Sequence, residues 1–212
     1  MKHFAMLLCL LVLGAATPHA CIGCSFQGSD LHGADFRNVR YVGTNFEGTN
    51  LRDARFGGAE LVGCNLRRAD LRGADLGAAT LTGCNLSGAL LGGARLDGMK
   101  AIGARLDGAH AQGVRFRDVN LIGASFVGAN LTDADFAGAV VCWQNDRWRE
   151  ASDRGDERIG CIDLAGARVQ GTSFRGALIC SGGHFANAPS CVPVDARTLR
   201  MYSRSALQGA IL

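Results

Sequence analysis

From Phe26 to Val141 a bulky apolar residue returns at every fifth position, and a small residue sits two places before each one. The bulky set includes Phe36, Phe46, Leu51, Leu61, Leu71 and Leu81, and only Ala101 and Ala111 are undersized. The small set includes Ala34, Ala54, Cys64, Ala74, Cys84 and Ala124, with Met99 the large exception. A period of five fits neither the helix repeat of about 3.6 nor the strand repeat of about 2. It fits a chain that turns a corner after every five residues, each repeat leaning mainly on its neighbours instead of on one globular core. The fifth residue of a unit is usually Gly, as at Gly28, Gly33, Gly43 and Gly48, and otherwise often Asn38, Asp53, Asp118 or Asp133, types that suit turns.

Written as units, the segment reads Ala-Asp-Phe-Arg-Asn at 34–38, Ala-Asp-Leu-Arg-Gly at 69–73, Cys-Asn-Leu-Ser-Gly at 84–88 and Ala-Asn-Leu-Thr-Asp at 129–133. Every unit from 24 to 143 keeps this register, and four more are centred on Leu164, Val169, Phe174 and Ile179. The pattern resembles the pentapeptide-repeat family, whose unit is Ala-(Asp/Asn)-Leu-x-x. The resemblance implies an all-β fold: a right-handed quadrilateral β-helix, a solenoid with one pentapeptide on each of four sides and twenty residues per coil. In such a coil the central residue and the one two before it point inward, the other three face water, and coils stack at ~4.8 Å.

Positions twenty apart then form vertical ladders. One inward ladder is Phe36, Phe56, Leu76, Leu96, Phe116 and Phe136; an outward one, Asn45, Asn65 and Asn85, is able to pass amide hydrogen bonds from coil to coil. On the fourth side the outward position after each central residue reads Val42, Val62, Thr82, Ile102, Ile122, Cys142. Apolar β-branched residues at water-facing positions over several coils mark a contact surface. The same stripe also fits plain stabilisation of a sheet face by stacked side chains, or coverage by the chain's own insertion. Outward pairs such as Asp35/Arg37 and Asp70/Arg72 read as a solvated surface with coil-to-coil ion pairing.

The register breaks after Val141. The stretch 143–160 is polar, lacks the five-residue period and holds both tryptophans, so it reads as a loop inserted between the repeat body (21–142) and a final coil (161–181). Long loops on rigid scaffolds often carry function, which makes Trp143, Arg147, Trp148 and Arg149 candidates for partner contact; alternatively the tryptophans fold onto the apolar stripe and cover it. A disulfide Cys142–Cys161 would staple the loop at its base, stabilising by ~3 kcal/mol on the loop-entropy estimate. The last segment, 182–212, reads as a cap: Cys180 with Cys191 would tie it down, and a helix from Asp195 to about Gln208 would shield the open sheet end. That cap or the apolar stripe would also serve a homodimer.

The N-terminal stretch changes the setting. Lys2 and His3 precede an apolar run from Phe4 to about Ala16, followed by small residues, the layout of a secretory signal peptide over residues 1–20 and too short to span a bilayer. The expected location is therefore periplasmic or secreted, without a transmembrane span. Cleavage fits after Ala16 or before Cys21, and either removes Cys9, leaving an even set of eight cysteines that suits disulfides. Cys21 and Cys24 read as an end-capping disulfide, whereas Cys64 and Cys84, stacked with parallel Cβ vectors, read as buried free thiols.

Composition and motifs narrow the function mainly by exclusion. The whole chain carries a net charge of +3 with basic residues interleaved among acids, so no nucleic-acid partner is expected. His32, His110 and His184 lie apart, no nucleophile–base arrangement or phosphate loop is present, and Asp146, Asp153, Asp156 and Glu157 lack the spacing of a calcium loop. The reading is a non-enzymatic rod without cofactor or metal that holds an unknown protein partner in the cell envelope. The resemblance supplies a second reading: some cytoplasmic pentapeptide-repeat proteins imitate duplex DNA and bind type II topoisomerases, which the signal peptide and the balanced charge both oppose.

Overall fold

The computed structural model describes residues 20–144, 162–181 and 190–193. Its hydrogen bonds run from level to level. Parallel bridges join residues twenty apart at four places in each level, as in Asn45↔Asn65, Asn50↔Asp70, Arg55↔Asp75 and Thr80↔Lys100. On the fourth side these contacts widen into strands: β1 (Ala20–Ile22), β2 (Arg40–Val42), β3 (Glu60–Val62) and β4 (Thr80–Thr82) make a parallel sheet in that order. The other three sides, and the fourth side at Lys100 and Asn120, are held by single bridges. Among the described residues there is no helix.

Each place in the five-residue unit has a physical task. The fifth residue stands at positive φ, near +60° at Gly43 and +57° at Asn38, which turns the chain. The N–H of the next small residue then closes the corner on the preceding central carbonyl, as in Ala54 N to Leu51 O at 3.1 Å and Ala74 N to Leu71 O at 3.0 Å. The Asp or Asn before each central residue accepts the N–H two residues on, as Asp75 Oδ1 does from Gly77 N at 3.0 Å and Asn45 Oδ1 from Glu47 N at 3.0 Å. That bond imitates a backbone turn and explains why this place favours Asp and Asn.

The two inward places fill the axis. Phe46, Leu51, Phe56 and Leu61 are fully buried, as are Ala54, Ala69 and Ala74. Thr44, Thr49 and Thr172 take the small place, each hydroxyl donating to a carbonyl of an adjacent level (Cys21, Phe26 and Leu131), so no buried side-chain polar atom is left unpaired among the described residues. Aromatic rings stack along the inward ladder, Phe36 on Phe56 at 4.8 Å and Phe116 on Phe136 at 4.7 Å, and the column continues to Phe174 at 4.8 Å. Where the central residues shrink to Ala101 and Ala111, the small places grow to Met99, Val114 and Val119, all buried. Interior volume is thereby kept roughly constant, the condition a packed core needs.

After Val140 the geometry departs from the repeat. Strand β5 (Val140–Gln144) pairs in parallel with β6 (Leu178–Ser181), and β7 (Ser190–Pro193) adds antiparallel to β6. The chain rejoins the stack where it left, with Ile162 N donating to Val141 O at 2.9 Å, and Asp163, Arg168 and Ser173 bridge to Ser125, Asn130 and Asp135. The expected loop boundary at 143 differs from the strand, which carries on through Trp143 and Gln144. The cause is a bulge between Val140 and Cys142 that brings Trp143 opposite Cys180 and Gln144 opposite Ser181, giving both residues ladder partners. It also sets Ile179 opposite Cys142 and not opposite the central residue Val141, so the fourth unit expected after the insertion leaves the repeat register.

Strand β7 is an addition to the expected cap. The expected helix from Asp195 to Gln208, residues 1–19 of the expected signal peptide, and Arg147, Trp148, Arg149 and Cys161 lie outside the described residues. Strand β1 begins at Ala20, the last residue of the segment read as a signal peptide. A cut after Ala16 would leave this strand whole; a cut after Ala20 would remove its first residue.

Candidate functional site

The fourth side differs from the others in backbone, shape and charge. Register pairing stacks Ile22, Val42, Val62 and Thr82 directly over one another in the parallel sheet. Ile102 and Ile122 continue the line on levels bridged through Lys100 and Asn120. Val42, Val62 and Ile122 are half-buried by this stacking, while Ile102 keeps 38% of its surface in water. The structure thus brings together four of the expected contact residues, Val42, Val62, Ile102 and Ile122. It adds a fifth, Ile22, which is 78% exposed at the N-terminal end. Ile22 precedes the first complete unit, so only the period of twenty, run one step backwards, would have found it. The side chain of Trp143 lies outside the described residues, and its backbone is in β5.

Charge is sparse on this face. Its outward positions from 40 to 123 carry Arg40, Glu60 and Lys100, against ten charged residues on the third side between Asp35 and Gly138. Arg40 Nε lies 3.4 Å from Glu60 Oε2, so two of the three neutralise each other across a level.

The remaining sides are laced with ion pairs of a different kind from those expected. Arg37 pairs with Asp35 at 2.6 Å and Arg72 with Asp70 at 2.5 Å, each within its own unit and not from coil to coil. The turn explains it: the Asp that accepts the N–H of residue i+2 is already beside the side chain of residue i+2. Pairs between levels are Arg95–Asp75 at 3.6 Å and Arg117–Asp135 at 2.6 Å. Hydrogen bonds from the Arg37 guanidinium and N–H hold the Asp35 carboxyl down at about 2. Arg72 likewise holds Asp70 below the usual carboxylate range. At Asp107 burial works against ionisation, but Ser125 Oγ, Arg105 and the Val127 N–H outweigh it and the carboxyl is again lowered. The Asn ladder is partial: Asn65 Nδ2 donates to Asn45 Oδ1 at 3.1 Å, whereas Asn85 Oδ1 accepts from Ser87 N and Oγ in its own turn.

Cys21 and Cys24 lie at disulfide distance with Cα atoms 5.8 Å apart, closing the N-terminal level. Cys64 and Cys84 are free and buried, each thiol donating to a carbonyl of the preceding level, Tyr41 O at 3.5 Å and Leu61 O at 3.3 Å. The Cys84 thiol is pushed up by its bond with Cys64 and by burial, which keeps it protonated and unreactive. The backbones of Cys180 and Cys191 face each other across the β6–β7 pair. Among the described residues no group of three His, Cys, Asp or Glu is placed to hold a metal ion, and no helix is long and apolar enough to cross a membrane.

These features define a class: a parallel β-solenoid. The family model for pentapeptide repeats matches in eight copies, over residues 21–53, 29–68, 49–88, 59–98, 79–118 and 102–138. The chain belongs to the pentapeptide-repeat family. Among solved structures it is similar to a trypsin-treated variant of QnrB1, a plasmid-mediated fluoroquinolone resistance protein, at 19% identity and a TM-score of 0.44, covering 74% of this chain and 73% of that one. It is similar to HetL from the cyanobacterium Nostoc sp. strain PCC 7120, involved in heterocyst differentiation regulation, at 29% identity and a TM-score of 0.29, covering 74% and 73%. A pentapeptide repeat protein of the Arabidopsis thaliana thylakoid lumen matches at 21% identity and a TM-score of 0.20, covering 87% and 80%. No curated protein matches the chain.

Proposed function

We propose that the protein is a non-enzymatic, exported scaffold: a right-handed, four-sided β-helical rod of the cell envelope that binds protein through its fourth face. The observation that carries this reading is the Ile22–Ile122 column, an apolar line on the side with regular parallel strands and least charge. Flat, weakly charged apolar strips are what protein partners cover, because water is released there at little cost in polar desolvation. Export is supported by the signal-like segment 1–20 and by Cys21 and Cys24 at disulfide distance, a pairing that persists in oxidising compartments. On the other sides acids and bases are interleaved and several are paired, so no DNA-like line of negative charge runs along the described residues. Residues Trp143, Arg147, Trp148 and Arg149 would extend the binding surface where the chain leaves the stack, and a helix over 195–208 with Cys142–Cys161 and Cys180–Cys191 disulfides would close the C-terminal end.

The test pairs fractionation with a surface variant. The account expects mature protein in the periplasm or medium, and expects Ile102→Lys with Ile122→Lys to abolish cross-linking to an envelope protein while leaving the unfolding midpoint within a few degrees. Cytoplasmic protein with residues 1–20 retained would defeat the export reading. Unchanged cross-linking in the double variant would defeat the binding face.

A further inference from the structure

Eight described levels reach the fourth side, the last of them β6, which the bulge at Val141 displaces; of the seven that keep the repeat register the middle one carries Thr80 and Thr82. Read outward from Thr82, the apolar column is nearly the same in both directions: Val62, Val42 and Ile22 one way, Ile102 and Ile122 the other. The charges flanking it are not symmetric but opposite. Glu60 stands one level to one side of the centre, and Lys100 stands one level to the other. Lys100 is exposed and forms no ion pair among the described residues.

We propose that the fourth face is occupied by a second copy of this chain, related by a two-fold axis that runs along the strands through Thr80–Thr82. The two rods then lie antiparallel and face to face. This deepens the protein-binding reading above and rests on it. The operator keeps the outward column opposite itself, so Val62 meets the partner's Ile102, Val42 meets the partner's Ile122, and Thr82 meets its own copy. It also sets Glu60 opposite the partner's Lys100 twice, once on either side of the axis, as an isologous contact requires.

Charge selects this register over its neighbours. An axis through the 60 level would oppose Glu60 to itself, an axis through the 100 level would oppose Lys100 to itself, and an axis midway between the 60 and 80 levels would oppose Arg40 to Lys100. Like charges facing each other across an apolar interface cost several kcal/mol. An axis between the 40 and 60 levels pairs Arg40 with Glu60, but it overlaps only the levels from 20 to 80 and forgoes Ile102 and Ile122. Turning the axis parallel to the rod would set Val42 against Arg40. An axis midway between the 80 and 100 levels would oppose Lys100 to Thr80 and Glu60 to Asn120, leaving both charges without an opposite across the interface. The central register alone overlaps all seven in-register levels with opposite charges in apposition.

The face is small, and that fixes the strength of the contact. Seven levels at ~4.8 Å and a strand about 10 Å wide give a flat footprint of roughly 300 Å² per copy, below the ~800 Å² per partner of a standard stable interface. The dimer is therefore weak and forms where the protein is concentrated.

Sedimentation velocity on the mature chain from about 5 to about 500 µM covers the concentrations at which weak self-association shows. The wild type is expected to move from monomer to dimer. Glu60→Lys and Lys100→Glu are each expected to weaken association at least ~10-fold, and the double exchange to restore it to within ~3-fold of wild type. Both positions are exposed, and the Arg40–Glu60 pair that Glu60→Lys breaks lies at the surface, so far-ultraviolet dichroism should not move and the unfolding midpoint should move little. A monomer throughout the range, or single exchanges without effect, or a double exchange that does not restore association, would each overturn the proposal. If the rod stays monomeric while Ile102→Lys/Ile122→Lys still abolishes cross-linking to a different envelope protein, the second copy fails as occupant and the binding face stands.

Discussion

At the corners of the coil the fifth residue stands at positive φ, a conformation that costs an L-residue with a Cβ about 1–2 kcal/mol and glycine almost nothing. Among the described residues two corners are held by residues with neither glycine's freedom nor a turn-forming side chain: Arg68 at φ 53° and Ala78 at φ 54°. Ala78→Gly is expected to raise stability by ~0.5–1 kcal/mol, a gain reduced from the full strain by the extra freedom of glycine in the unfolded chain; denaturant titration reads it directly. The converse holds at Gly73 and Gly138, where a Cβ would run into the carboxylates of Asp53 and Asp118 on the preceding level. Asx corners thus demand glycine one coil further on. A pH measurement tests the turn chemistry. Asp35 lies at about 2 when folded against ~3.9 unfolded, so its contribution to stability is present above pH ~4 and is lost as pH falls through about 2. Arg37→Gln should return the Asp35 titration, followed by NMR, towards ~4. The glycine, asparagine and aspartate corners were legible from spacing alone. The strained corners at 68 and 78 were not, because a tolerated misfit leaves no pattern, and the Asp–Arg pairing within units needed the turn geometry that sets those side chains side by side.

Sides and strands carry the next level of the argument. Three sides use single bridges while the fourth widens into three-residue strands from Ala20 to Thr82 and returns to single bridges at Lys100 and Asn120, so strand pairing marks only the N-terminal half of the candidate face. The column Phe116, Phe136, Phe174 crosses the gap left by the insertion, tying the final coil to the body through stacked rings. Phe136→Ala removes both stacking contacts and leaves a void in a fully buried site, so it should cost ~3–5 kcal/mol. Hydrogen exchange should show residues 162–178 losing protection before residues 44–96. The inward ladders and the resumption after the break were readable because bulky residues keep returning at Leu164, Val169 and Phe174. Strand β7 was not, since four residues of antiparallel pairing carry no five-residue signal and their partner β6 is displaced by the bulge at Val141.

For the molecule as a whole, periodicity disclosed the scaffold and departures from periodicity disclosed the candidate site. The Val42–Ile122 stripe and the sparse charge beside it emerge when the five-residue pattern is folded by twenty, whereas the degree of its exposure emerged only in the structure. The partner's chemistry had no sequence signal, because a solenoid binds with a surface and no motif marks a surface. The central claim is that the fourth face, and no other, engages protein. The most direct measurement places a photo-crosslinking residue at Thr82 in one variant and at Asp97 on the third side in another, both exposed and both on levels away from the ends. The account predicts protein adducts from position 82, whether with a second copy or another chain, and none from position 97. Adducts from position 97 with none from position 82 would contradict it.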